Sequence, residues 1–282
     1  MNLTEKITEL EKSIASLSQP PAHIDHTEVV IAKSLCEKHG EFDQRTRITT
    51  GPVKLPARGS SCPHCLKEEL AKLKREQSDT DERAKQRRIS SLMENLQLPE
   101  RFKSCTLQNY EPVNDDAARC LRLCQAYAAK WPDRLKQGGG LVMCGMPGTG
   151  KNHLALAIAK HVIQTHQDSA LFTTALRVAR AFKSTWNKNA DLTESEVIKA
   201  YTDPDLLIID EVGVQFGSES EKLILFEIIN TRYEKMRPTI LISNQTREEL
   251  GAFIGERVID RMNDGGGCTL AFTWSSYRSR AA

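Results

Sequence analysis

Leu3, Ile7, Leu10, Ile14 and Leu17 recur at spacings of four and three, the stripe of an amphipathic helix with a heptad seam. Pro20 and Pro21 end it. So few heptads do not hold a coiled coil alone, so the stripe is expected to pack on its own chain or on a partner. Residues 31–66 show little periodicity. From Leu66 to Leu96 charged residues dominate, yet Leu66, Leu70 and Leu73, then Ile89, Leu92, Met93 and Leu96, keep helical spacing. This predicts a long solvated connecting helix, broken near Ser78-Asp-Thr80.

After Pro99 the pattern changes. Short apolar runs at Leu141–Cys144, Ala170–Thr174, Leu206–Ile209, Thr239–Ser243 and Thr269–Phe272 read as strands. Helical stretches lie between them: Asn152–His166, Leu176–Lys188, Thr193–Thr202, Glu219–Lys235 and Arg247–Met262. Alternation of this kind predicts an α/β fold, a parallel sheet flanked by helices. The expected division is an N-terminal helix with a small ribbon-like domain over 1–66, a helical linker over 67–98 and the α/β domain over 99–282.

Composition narrows the function little. Of 282 residues 27% are charged and the net charge is +2, so no charge excess points by itself to nucleic acid. No apolar run approaches the roughly 20 residues of a membrane span. The charged, amphipathic start MNLTEKITELEK is unlike a secretory signal, so a cytoplasmic protein with reduced thiols is expected. Of the eight cysteines, Cys105, Cys120, Cys124, Cys144 and Cys268 read as small apolar side chains.

The chemistry concentrates after the first strand. Gly145-Met146-Pro147-Gly148-Thr149-Gly150-Lys151 joins that strand to an Ala/Leu-rich helix, the order a phosphate-binding loop requires. Glycines let successive N–H groups converge on phosphate oxygens, and the helix adds its positive N-terminal dipole. Lys151 supplies a compact charge for the β- and γ-phosphates of ATP. Asn152 stands where Ser or Thr normally gives a hydroxyl to Mg²⁺; its amide oxygen can ligate the ion with altered geometry, so slow hydrolysis is expected. His153 follows at the start of the same helix.

Downstream, Leu206-Leu-Ile-Ile ends in Asp210 and Glu211. A strand buried on both faces that closes on two acids suits Mg²⁺ binding by Asp210 and activation of water by Glu211. A second apolar strand ends at Asn244, which either positions the same water or serves a turn. In the N-terminal region, Cys36-Glu-Lys-His39 and Cys62-Pro-His-Cys65 form two knuckles with the spacing of a Cys₃His zinc site, His64 being a weaker ligand candidate than His39.

The motifs GMPGTGKNHLA, LLIIDEVGVQ, ISNQ, GERVIDRM and WSSYRSR, in this order over residues 99–280, resemble the AAA+ ATPases of the DnaC helicase-loader family. The resemblance implies a slow ATPase stimulated by single-stranded DNA. It makes Lys151 the Walker A lysine, Asp210 and Glu211 the Walker B pair and Asn244 the sensor 1 residue. Arg261, with Arg257 one turn earlier, matches the arginine finger that acts on a neighbouring subunit, which implies an ATP-dependent oligomer. Arg278 matches the sensor 2 arginine. Positions that contact single-stranded DNA in such loaders correspond to Lys183, Trp186, Lys188 and Ser218. An aromatic among lysines suits base stacking, although Trp at helical spacing equally packs on its own domain. The knuckles resemble zinc ribbons of phage DnaC-like replication proteins. The implied partner is a replicative helicase of the DnaB type, gripped by the N-terminal region. Two further readings stay open: an IstB-like transposition helper, and a zinc-dependent DNA-binding adaptor with an ATP switch.

Overall fold

The computed structural model describes residues 2–51, 56–187, 190–213 and 219–277, with side chains omitted at 219–221. It divides into two compact units, Met1–Gln86 and Arg87–Ala282.

In the first unit, Asn2 opens helix α1 (Leu3–Ser18) with a capping box: its side chain accepts from the Glu5 N–H, and the Glu5 carboxylate accepts from the Asn2 N–H. Ile7 is buried and the rest of the stripe is half-buried. Strands β1 (Thr27–Cys36) and β2 (Gly40–Thr49) form an antiparallel hairpin, from Thr27 opposite Thr49 to Cys36 opposite Gly40. The sequence pattern gives no sign of them. Among the described residues neither strand has a fully buried face to impose alternation, and Val30, Ile31 and Leu35 are exposed. Helix α2 (Pro63–Asn95) follows, tied to α1 by Lys74–Glu11 (2.7 Å) and Gln77–Thr4 (3.5 Å). The break expected at Ser78-Asp-Thr80 does not occur. With neither Gly nor Pro there, the propensity penalty is small, and Thr80 Oγ1 donates to the Glu76 carbonyl inside the helix.

The second unit is built on five parallel strands, β3 (Leu141–Gly145), β4 (Ala170–Thr174), β5 (Leu206–Asp210), β6 (Thr239–Ile242) and β7 (Cys268–Phe272). Their order is β4-β5-β6-β3-β7, and every pairing is parallel, as the expected α/β fold requires. Residues alternate between two cores. Leu141 and Met143 face one, with helices α3 (Asp115–Ala129), α4 (Trp131–Gln137) and α5 (Lys151–His161). Val142 and Cys144 face the other, with α6 (Ala175–Ser184), α7 (Glu194–Thr202), α8 (Glu219–Glu234), α9 (Arg247–Ile254) and α10 (Glu256–Asn263). Removing a Leu side chain from either layer costs about 2–5 kcal/mol.

The helices depart from expectation in four places. α3 and α4 are additional. The single helix expected over Arg247–Met262 is interrupted at Gly255, whose φ of 94° no helical residue adopts. The helix expected over Leu176–Lys188 ends at Ser184, with a turn beyond it. Below the sheet, the fully buried Arg232 guanidinium donates to Thr239 Oγ1 and to the carbonyls of Tyr201, Thr202, Pro204, Asp205 and Pro238. It thereby ties α7 to the starts of β5 and β6.

Candidate nucleotide and metal sites

β3, β6 and β5 lie side by side, and each ends in chemistry. β3 opens the glycine-rich loop, β6 ends before Asn244, and β5 ends in Asp210 followed by Glu211. The adjacent strand ends bring Lys151, Asn152, Asn244, Asp210 and Glu211 to one cleft of about 470 Å³, also lined by Pro147, Gly148, Thr149, Gly150 and His153. Gly145 has φ 118° and Gly150 φ 95°. A Cβ at Gly145 would lie 2.4 Å from the Phe272 carbonyl, and one at Gly150 2.5 Å from the Tyr110 ring. Both glycines are therefore required by conformation and by space.

Lys151 is buried, and its ammonium donates to the carbonyls of Gly145 (2.8 Å) and Met146 (2.7 Å). Burial lowers its pKa to about 8. Asn152 turns its amide nitrogen to Asp210 Oδ2 at 2.6 Å, while the Glu211 N–H donates to Asp210 Oδ1 at 2.7 Å. Burial raises the Asp210 pKa against the opposing pull of these donors and of Lys151. Glu211 is exposed in the left-handed region at φ 59°, a conformation that turns it out of the strand direction into the cleft. Asn244 is exposed on the same cleft.

The opposite wall comes from segments distant in sequence. Tyr110 and Trp274 both donate to the Thr149 carbonyl, at 3.0 and 3.3 Å. His153 donates through Nε2 to the Thr106 carbonyl at 2.9 Å and meets the Tyr110 ring edge-on. Phe102 and Tyr277 complete the wall. No local pattern in the sequence marks Phe102 and Tyr110 as partners of the loop. Gln245, the last residue of the ISNQ motif, also contributes: its carbonyl accepts the Gly145 N–H and its side chain donates to the Gly213 carbonyl.

Arg261 does not line this cleft. It lies in a separate surface depression with Tyr233, Asp260, Asn263 and Asp264, and Arg257 is exposed on the same helix. Lys183 and Trp186 are exposed at the end of α6 and in the turn after it. The Trp186 indole donates to Glu194 and its ring meets Phe182 edge-on. Lys188, Ser218 and Arg278 lie outside the described residues.

In the first unit, Cys36 and His39 flank the hairpin turn, and Cys62 and Cys65 stand at the start of α2. The Ser60 N–H donates to the Arg45 carbonyl, docking the returning chain on β2 and delivering Cys62. The four ligand atoms lie within 4.8 Å of one another. The Cys36–Cys65 sulfurs are 3.5 Å apart, and His39 Nδ1 is 3.4–3.8 Å from all three sulfurs. A tetrahedral zinc site with bonds of about 2.0–2.3 Å has edges of about 3.4–3.8 Å. His39 Nε2 faces Glu68 Oε1 at 3.2 Å, the carboxylate partner that metal-binding histidines commonly have. His64, the weaker candidate, stacks near His39 with ring centroids 5.4 Å apart.

A glycine-rich loop opening a helix, an acidic strand end and an intervening polar strand end define a P-loop ATPase of the AAA+ class. The IstB-like ATP-binding protein family matches residues 55–264, and the chain belongs to it. Its relatives include the replicative helicase loader DnaC of Buchnera aphidicola subsp. Acyrthosiphon pisum (strain APS), 34% identical over 64% of this chain and 72% of the relative. DnaC of Escherichia coli (strain K12) is 34% identical over 63% of this chain and 71% of its own length. The crystal structure of the DnaC helicase loader shares the fold, with a TM-score of 0.55 at 22% identity over 62% of this chain and 99% of that one. The resemblance read from the motifs is borne out.

Proposed function

We propose that this protein is an ATP-dependent helicase loader of DNA replication. The observation that carries this reading is the convergence of Lys151, Asp210, Glu211 and Asn244 on one cleft, in a chain 34% identical to proteins named replicative helicase loaders. Lys151 and the loop amides bind the triphosphate, and Glu211 and Asn244 orient the attacking water. Asp210 and the Asn152 amide oxygen would hold Mg²⁺, which neutralises phosphate charge. Their fit rests on a carboxylate already fixed by two donors at the mouth of the loop. Arg261 acts on ATP held by a neighbouring copy, and Arg278 on the γ-phosphate of its own subunit.

Lys183 and Trp186, with Lys188 and Ser218, form the contact for single-stranded DNA. The 57% exposure of Trp186 supports stacking on a base. Cys36, His39, Cys62 and Cys65 bind zinc, supported by the match of their spacing to a tetrahedral site. The stapled N-terminal unit grips a DnaB-type helicase.

Two measurements test the reading together. Wild-type protein is expected to hydrolyse ATP slowly, faster with single-stranded DNA, and to co-purify with the host's replicative helicase. Lys151→Ala should lose hydrolysis by at least about a hundredfold. Full turnover in Lys151→Ala would remove the nucleotide-site assignment, and co-purification with a transposase in place of the helicase would replace loading by transposition.

A further inference from the structure

Arg261 is held in a cradle at the end of the sheet remote from the nucleotide cleft. In a parallel sheet all strand starts lie at one end and all strand ends at the other. The loop, Asp210 and Asn244 follow strand ends, whereas α8 and α10 run up to the starts of β6 and β7. About 15 Å of strand separates the two ends, at ~3.3 Å per residue. Arg261 of a given chain is thus far from its own cleft.

The cradle has two walls, each fixed from behind. Arg261 Nη1 donates to Asn230 Oδ1, and the guanidinium carbon lies 5.2 Å from the centre of the Tyr233 ring. Asn230 Nδ2 donates to Glu234 Oε1 at 2.7 Å, which turns the amide oxygen toward the arginine. The Tyr233 hydroxyl donates to Asp264 Oδ2 at 3.1 Å, which fixes the ring in the plane below it. Asn230, Tyr233 and Glu234 share one face of α8, spaced three and four apart.

From this geometry we infer that Asn230 and Tyr233 are positioning residues for Arg261, holding its guanidinium extended and oriented for a phosphate of ATP bound by a second copy of the chain. The inference rests on the reading of Arg261 as a residue acting in trans. A neutral amide oxygen and an aromatic face are weak enough holders to yield to phosphate, which binds arginine through charge-assisted, often bidentate bonds. A carboxylate in place of Asn230 would compete with the phosphate. The cradle thus reduces the disorder of a long side chain while leaving it free to transfer.

The test is steady-state ATP hydrolysis by full-length Asn230→Ala, Asn230→Asp, Tyr233→Leu and Arg261→Ala, each alone and mixed in equal amounts with Lys151→Ala. Arg261→Ala should be nearly inactive alone and recover in the mixture, because Lys151→Ala subunits supply the arginine that their partners lack. Asn230→Ala and Tyr233→Leu should lose kcat by about tenfold with KM for ATP unchanged, and should recover likewise. Asn230→Asp should fall further than Asn230→Ala, since it traps the guanidinium. Wild-type turnover in both Asn230 variants beside a dead Arg261→Ala would overturn the cradle and leave the arginine assignment standing. A rise in KM that Lys151→Ala subunits do not rescue would also overturn it. Failure of Arg261→Ala to recover in the mixture would remove the action in trans itself.

Discussion

Burial lowers the Lys151 ammonium to about 8, from an ordinary value of 10.5, and it does so at the position where nucleotide binding needs a positive charge. The folded protein therefore binds the Lys151 proton less tightly than the unfolded chain. Between about pH 8 and 10.5 the unfolded chain holds more protons, so this residue's contribution to stability rises with pH across that window. Without nucleotide, the melting temperature of the wild type should rise relative to Lys151→Met over the same interval. A difference that stays flat with pH would mean that the lysine is not desolvated. Asn152 next to it was legible as a departure from the usual hydroxyl, but its hydrogen bond to Asp210 was not. That contact depends on two strand ends separated by β6, a proximity no local spacing encodes.

Elements were legible in proportion to how completely they are covered. The strands of the parallel sheet lie between two helical layers, so their cores are continuous apolar runs, and four of the five deviate from expectation by one residue at one end. The described hairpin of β1 and β2 buries no residue fully, and its mixture of Lys33, Asp43 and Arg45 with Val30 and Ile31 carried no period to read. α3 does carry helix signals in its sequence: the Asn114 cap, Asp115 and Asp116 in the first turn, and Cys120, Cys124 and Tyr127 at helical spacing. The hairpin's lack of a core also makes it the element that the proposed zinc would stabilise most. Chelation of zinc, or Cys36→Ser, should expose the segment from Thr27 to Thr49 to proteolysis while ATP affinity of the second unit is retained. Measured metal content should be near one zinc per chain. Full protease resistance after metal removal would show that the four ligands staple nothing.

At the scale of the molecule, the boundary between the two units falls within α2, and each unit carries its own chemistry. The first has a cysteine and histidine cluster in a ribbon with little apolar interior. The second has two cores and the P-loop cleft. The order of motifs along the chain announced the ATPase, because loop, acidic pair and polar strand end are each contiguous. The wall formed by Tyr110, Phe102 and Trp274 was not announced as a unit, being assembled on one face of the sheet from segments before β3 and after β7. No helix among the described residues is long and apolar enough to cross a membrane.

The Trp274 contact with the loop has an optical consequence. The three tryptophans occupy three different environments: Trp131 is fully buried and donates to Asp168, Trp186 is 57% exposed, and Trp274 is nearly buried against the Thr149 carbonyl at the cleft. Their emission should separate accordingly, with Trp186 red-shifted and quenched by acrylamide, and Trp131 unresponsive. Trp274 alone should change intensity when ATP is added, and Trp274→Phe should abolish that change. An equal response in Trp274→Phe would assign the signal elsewhere. The unmodified protein thus carries separate intrinsic fluorophores for its loop and for its exposed α6 turn, so both can be followed in real time without a label.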